Sequence, residues 1–251
     1  MFRSRFIACA LLALICVSSA HAQGQLHLRV NDCNGAVEIA NPCISNLGLL
    51  QLAASVRPAT ALPGVTAMVA RVALYGCSLH PAFSQWWHME SGGCREGSLS
   101  GTFDFTATDA NGYPVYTACS DPWMAAATGT ADDSIVAPNE ASILVSATIP
   151  AANAATFDSR VDSYLFVLKI DKVGSAPPYN CAGCIDVSIF SLRQVTLTSP
   201  RGDTVIDASD ISGAESVGYN TGGQVSLPPS PCRAITAAGS SSWGLIKSIY
   251  R

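Results

Sequence analysis

The sequence predicts an all-β protein, an antiparallel β-sandwich of Ig-like or jelly-roll-like type, stapled by disulfides and holding at most short helices. Three observations lead there. Runs rich in β-branched or aromatic residues recur along the chain. Turn chemistry separates them, without regular amphipathic helices between, which favours a sandwich over a βαβ fold. Ten cysteines, eight of them beyond an N-terminal leader, supply the staples.

The leader comes first. Arg3 and Arg5 precede the apolar stretch Ile7 to Val17, too short for the ~20 apolar residues that cross a bilayer. Ala20-His-Ala22 follows in the small-x-small pattern of a cleavage site, so residues 1–22 read as a signal peptide. A lipid-anchored cysteine is the competing reading. It does not fit, because Ile15 stands before Cys16 where a small residue is wanted and Cys9 precedes an adequate apolar run.

Residues 23–227 form the expected sandwich domain. Gln25 to Val30 alternates polar with apolar, as a half-buried strand does. Further strands are expected at Leu47 to Val56, Val65 to Tyr75, Gly101 to Thr108, Ala141 to Ile149, Tyr164 to Asp171 and Ile185 to Thr198, with a short helix around Pro81 to His88. Asn34-Gly35, Leu62-Pro-Gly64, Asn111-Gly112, Ala176-Pro-Pro178 and Pro200-Arg-Gly-Asp203 read as turns. Residues 228–242 are a Pro/Ser/Gly-rich linker, and 243–251 a distinct tail.

Cys33, Cys43, Cys77, Cys94, Cys119, Cys181, Cys184 and Cys232 remain after cleavage. Eight cysteines allow 105 pairings. Spacing favours Cys33 with Cys43 and Cys77 with Cys94, leaving the other four to pair among themselves. Cys181-Ala-Gly-Cys184 also has the spacing of a redox pair or half a zinc site. A redox motif should open a helix, whereas Ile185-Asp-Val-Ser follows as a strand, and the chain has no second close pair to complete a zinc site.

The ending Ser242-Trp-Gly-Leu-Ile-Lys-Ser-Ile-Tyr-Arg251 resembles a Thr-Trp-Gly-x-Ile/Val-Lys-x-Leu-Tyr-Arg tail found in exported bacterial proteins of no known activity. Trp86 to Arg95 and Cys181-Ala-Gly-Cys184 are similar to that group as well. The resemblance implies export and carries no catalytic residue. Trp243, Gly244, Lys247, Tyr250 and Arg251 then read as a sorting signal, against a second reading in which Trp243, Ile246 and Tyr250 dock as a short helical stripe.

For binding, Trp86, Trp87 and Trp123 are the candidates, since an exposed indole stacks on sugars or fills a partner's pocket. The bland alternative packs the three rings over the sandwich end and its disulfides. His80 and His88 with Glu90 form a conceivable but motif-less metal set, and His27 stands alone. Asp104 with Asp109, or Asp132 with Asp133, are the carboxylate pairs open to glycoside cleavage. Asp132, Asp133, Asn139 and Glu140 form an off-pattern candidate for a structural calcium, the one ion weighed. No G-x-S-x-G elbow appears. Arg201-Gly-Asp203 matches an adhesion tripeptide but is also good turn chemistry.

The formal net charge is −4, without a cluster of Lys or Arg, which argues against nucleic acid or anionic membrane as partner. The observations point to a secreted or cell-surface module with a non-catalytic binding or structural role, its partner a glycan or a surface protein. An extracellular hydrolase acting on glycan or ester, with a site assembled only in three dimensions, is the alternative.

Overall fold

The computed structural model describes residues 24–77, 83–178, 180–208 and 215–221. The leader, the linker, the tail, His80 and Cys232 lie outside the described residues.

Thirteen strands are described: β1 (Gln25–Val30), β2 (Glu38–Ile39), β3 (Leu49–Arg57), β4 (Leu62–Val65), β5 (Ala67–Gly76), β6 (Leu99–Thr102), β7 (Thr128–Ala137), β8 (Glu140–Thr148), β9 (Ala155–Phe157), β10 (Ser163–Asp171), β11 (Ser188–Ser199), β12 (Gly202–Asp207) and β13 (Ser216–Tyr219). The described helices are two 3-10 turns, Gln85–Trp87 and Ala151–Asn153. Neither is long or apolar enough to cross a membrane.

Besides a two-stranded sheet of β4 and β9, one main sheet runs β1-β3-β10-β6, and the other β2-β13-β11-β5-β8-β7 with β12 also on β11. Strand alternation explains why they face each other. Met68, Ala70, Val72 and Leu74 of β5 and Ala141, Ile143, Val145 and Ala147 of β8 point inward, against Leu26, Leu28, Leu52, Val56 and Leu168 of the first sheet. Fully burying each Val, Leu or Ile side chain stabilises by about 1.5–3 kcal/mol. β10 is buried on both faces, because the 103–127 segment covers its outer side. There Phe105 stacks on Tyr164, centroids 4.4 Å apart, and the Trp123 indole N–H donates to Leu165 O at 3.0 Å. The fold is a disulfide-stapled antiparallel β-sandwich.

The disulfide partners differ from the spacing-based expectation. Cys33 bonds Cys119, Cys43 bonds Cys184 and Cys94 bonds Cys181, each spanning 86 to 141 residues. Cys33–Cys43 and Cys77–Cys94 are therefore not formed, although Cys77 is itself disulfide-bonded. The reason is topological: sheet order brings together loops far apart in sequence. The two cysteines of Cys181-Ala-Gly-Cys184 take separate partners, which removes the redox-pair reading. Gly183 between them has φ +89°, and a Cβ there would lie 2.2 Å from Ser84 Cβ, so this turn needs glycine.

Candidate functional site

Tyr219 organises one end of the sandwich. β13 is buried along its whole length, and Tyr219 has no exposed surface. Its hydroxyl donates to Cys184 O at 2.8 Å and accepts from Asn41 Nδ2 at 2.8 Å. Burial pushes that hydroxyl up to about 12, which keeps it a neutral donor. Two loops far apart in sequence, those of Asn41 and Cys184, are thus drawn to one point and locked there by Cys43–Cys184.

Beneath them lie the indoles that the sequence offered as a binding platform. Trp86 stacks on Tyr219 at 5.3 Å, and Trp87 meets Tyr219 edge-on at 4.8 Å and Phe190 at 5.3 Å. Trp123 packs edge-on against Phe157, ring centroids 5.3 Å apart. All three indoles are fully buried, so the bland alternative of packing describes them. The Gly-Gly-Cys-Arg segment gains a structural meaning that the sequence did not reveal. Arg95 is 2 % exposed, and its guanidinium lies 3.6 Å from the Trp86 ring centroid. It donates to Val173 O at 2.7 Å, to Trp86 O at 2.9 Å and to Asp171 O. Burial lowers its pKa to about 10, so it stays cationic and its fork ties three segments together.

Above this rigid base, the loop tips carry apolar side chains into solvent. Ile44 is 80 % exposed, Leu47 82 % and Ile185 71 %. Ile44 and Ile185 each follow one half-cystine of the Cys43–Cys184 bridge, whose Cα atoms are 6.0 Å apart. The Leu47 loop is latched through its neighbour Asn46, whose amide donates to Ala176 O at 2.8 Å and accepts from Ala176 N at 2.7 Å. Beside Ile185 opens a cavity of about 450 Å³, lined by Phe83, Ser84, Gln85, Ala182, Gly183 and Asp186. Its lining is apolar apart from the Asp186 carboxylate, the Gln85 amide and the Ser84 hydroxyl. The sequence offered Leu47 and Ile185 only as the first residues of expected strands and passed over Ile44, because single aliphatics are ordinary until the fold gathers them.

The sequence-predicted acids and histidines separate into distinct places. Asp104 caps its own loop through the Thr106 hydroxyl and N–H, and Asp109 accepts the N–H groups of Tyr113 and Asn111. These bonds hold both carboxyls below the usual range, which suits turn caps rather than a general acid. Asp132 and Asp133 are consecutive on β7 and point to opposite faces, so they do not converge on one ion. His88 Nδ1 meets Glu90 Oε1 at 2.6 Å. Asp133 lies close to both, its carboxyl pushed up to about 6 by burial and then by Glu90. His27 sits between Asp162, 3.7 Å away, and Glu215, 3.5 Å away. No three His, Cys, Asp or Glu among the described residues are arranged to hold a metal. Arg201-Gly-Asp203 lies at the β11–β12 hairpin, where Ser199 pairs Gly202.

Fold and site together define a disulfide-stapled β-sandwich module with a locked, apolar loop crown. No family model matches the chain, and no curated protein matches it. Solved structures similar to it include the cohesin module of a family 33 glycoside hydrolase from Clostridium perfringens, at 14 % identity and TM-score 0.32, covering 79 % of this chain and 97 % of that one. A type II cohesin domain from the cellulosome of Acetivibrio cellulolyticus is similar at 10 % identity and TM-score 0.33, covering 79 % and 95 %. Overlap this low supports no reading of function, and the sandwich stands on its own sheets.

Proposed function

We propose that the protein is an exported β-sandwich module, secreted or held at the cell surface, that binds a protein partner through its loop crown without catalysing a reaction. The observation that supports this is the exposure of Ile44, Leu47 and Ile185 on loops fixed by Cys43–Cys184 and by the Asn46–Ala176 latch. Large aliphatics held rigidly in water lose the burial that stabilises apolar groups, and a partner surface restores it. Rigid presentation lowers the ordering cost of binding. Loops on a stiff scaffold are the usual bearers of such contacts. The apolar character favours a protein surface over a glycan, because the indoles suited to sugar stacking are buried. The signal peptide and the resemblance of the tail to exported proteins support the location, and the tail is proposed as its sorting signal.

The test is a double charge insertion, Leu47→Lys with Ile185→Lys, in the full chain expressed by its native host. We expect retention on the washed cell envelope to fall at least fivefold while the melting temperature is unchanged. Unchanged retention, or esterase or glycosidase turnover that disappears in His88→Ala, contradicts the proposal.

A further inference from the structure

We infer that two copies of this chain pair face to face through the outer surface of β5, β8 and β7, about a dyad running along β8 at Leu144. The inference is independent of the loop crown, which lies on different residues. It begins from cross-strand register. Leu144 of β8 is directly opposite Arg71 of β5 on one side and Asp132 of β7 on the other. All three side chains are exposed on the same outer face. A dyad through Leu144 along the strand lays Leu144 on its own copy. The same operation lays each Arg71 over the other copy's Asp132, so one row supplies an apolar centre flanked by two opposite-charge pairs.

The flanking rows leave room for this. Ala67, Thr148 and Thr128 form one row, Val69, Ser146 and Thr130 the next, and Ala73, Ser142 and Ser134 the row beyond Leu144. Val69 is the one larger, exposed side chain among them, Ala73 is itself buried, and the rest are small, so two sheets can approach to the ~10 Å of ordinary sheet packing. Glu140, opposite Tyr75, bounds the patch at the end of β8, and a tilt of each β8 by about 15° from the dyad, which gives the ~30° crossing of aligned sheets, carries the two copies of that row apart.

Charge partners choose among the possible dyads. Asp207 lies two strands from Arg71 on the opposite side, through Gln194, but Gln194 Nε2 already donates to its carboxylate at 2.5 Å. Asp132 accepts from its neighbour Thr130 at 3.0 Å, and Arg71 Nε donates to Ser142 Oγ at 3.3 Å. Neither Arg71 nor Asp132 has an ion-pair partner among the described residues. About this dyad three strands overlap, β8 on itself and β5 on β7; ~4.8 Å apart and ~30 Å long, they offer roughly 430 Å² per copy, in the range of transient contacts. That area fits a weak, transient dimer rather than an obligate one.

Sedimentation equilibrium of the full chain, at concentrations on the order of 10 μM to 1 mM, is the test. We expect a monomer–dimer equilibrium within that range. Arg71→Asp alone and Asp132→Arg alone should each weaken it at least tenfold, and an equimolar mixture of the two variants should form a mixed dimer, since it keeps one native Arg71–Asp132 pair and restores the other with reversed sign. Leu144→Arg, on the dyad itself, should also give monomer with an unchanged melting temperature. A wild-type monomer at every concentration overturns the inference. So does a dimer indifferent to Arg71→Asp, or a mixture of folded variants that stays monomeric. None of these outcomes bears on envelope retention, which reads the loop crown.

Discussion

Two regions one residue apart behave in opposite ways. Cys184 is buried against Tyr219 while Ile185, next along the chain, is 71 % exposed. Below that boundary lie the groups conspicuous in the sequence, Trp86, Trp87, Arg95 and Tyr219, stacked and hydrogen-bonded to one another. Above it lie plain aliphatics on loop tips. The contrast teaches that chemical distinctiveness here builds the base, and that ordinary residues held rigidly in solvent make the candidate contact surface.

Breaking the base should have the largest effects. Arg95→Leu removes the cation–π contact and leaves the carbonyls of Trp86, Asp171 and Val173 without their donor, a loss of about 4 kcal/mol or more in urea unfolding. With typical stabilities of about 5–15 kcal/mol, that approaches global unfolding. Arg95→Lys should recover only part, since an ammonium lacks the guanidinium fork. Replacing Cys94 and Cys181 together by Ser should cost about 2–4 kcal/mol by the same measurement, because the bridge closes 87 residues of the unfolded chain.

Smaller changes sharpen the boundary. Tyr219→Phe takes the hydroxyl from Cys184 O and Asn41 and should cost about 2 kcal/mol while leaving the stacked rings in place. Asp133 gives a pH signature. Its folded-state pKa, about 6, lies above the unfolded value of about 3.9, so the folded state holds the proton more tightly. Stability therefore falls as pH rises between those two values. Asp133→Asn should remove this slope, gaining roughly 1 kcal/mol at neutral pH once solvent screening of the half-buried carboxyl is allowed for, and nothing in acid. Leu47→Lys with Ile185→Lys should move stability by less than about 0.5 kcal/mol, as exposed substitutions do.

Much of the fold was legible where one face of a strand is apolar and the other polar. β1 occupies the expected Gln25 to Val30, and β3, β5, β8 and β10 start or stop within two residues of their expected ends. Where alternation failed, so did the reading. Gly101 to Thr108 is a strand only to Thr102, because Asp104 caps Thr106 and turns Phe103 and Phe105 inward from a loop. β7 was missed because Thr-Gly-Thr-Ala-Asp-Asp is polar, as suits a sheet edge with one solvated face. Leu62-Pro-Gly64 was expected as a turn and is instead the bulged strand β4, with Gly64 at φ +75°. The helix expected around Pro81 to His88 is a 3-10 turn over Gln85–Trp87.

The candidate site was far less legible. Disulfide partners depend on which loops the sheet order brings together, and spacing along the chain carries no such information. The tryptophans were visible in the sequence, but the burial of Trp86 and Trp87 follows from Tyr219, which lies more than a hundred residues away. The exposed aliphatics became a surface only once Cys43 had met Cys184.

Site-specific photo-crosslinking reads the central claim most directly. A benzoylphenylalanine placed at Leu47 or Ile185 of the chain in its native host should give a discrete adduct to another exported or envelope protein, and the same probe at exposed Arg160 should give none. Equal labelling at all three positions, or no adduct at Leu47 and Ile185, would contradict the assignment of the loop crown as the binding surface.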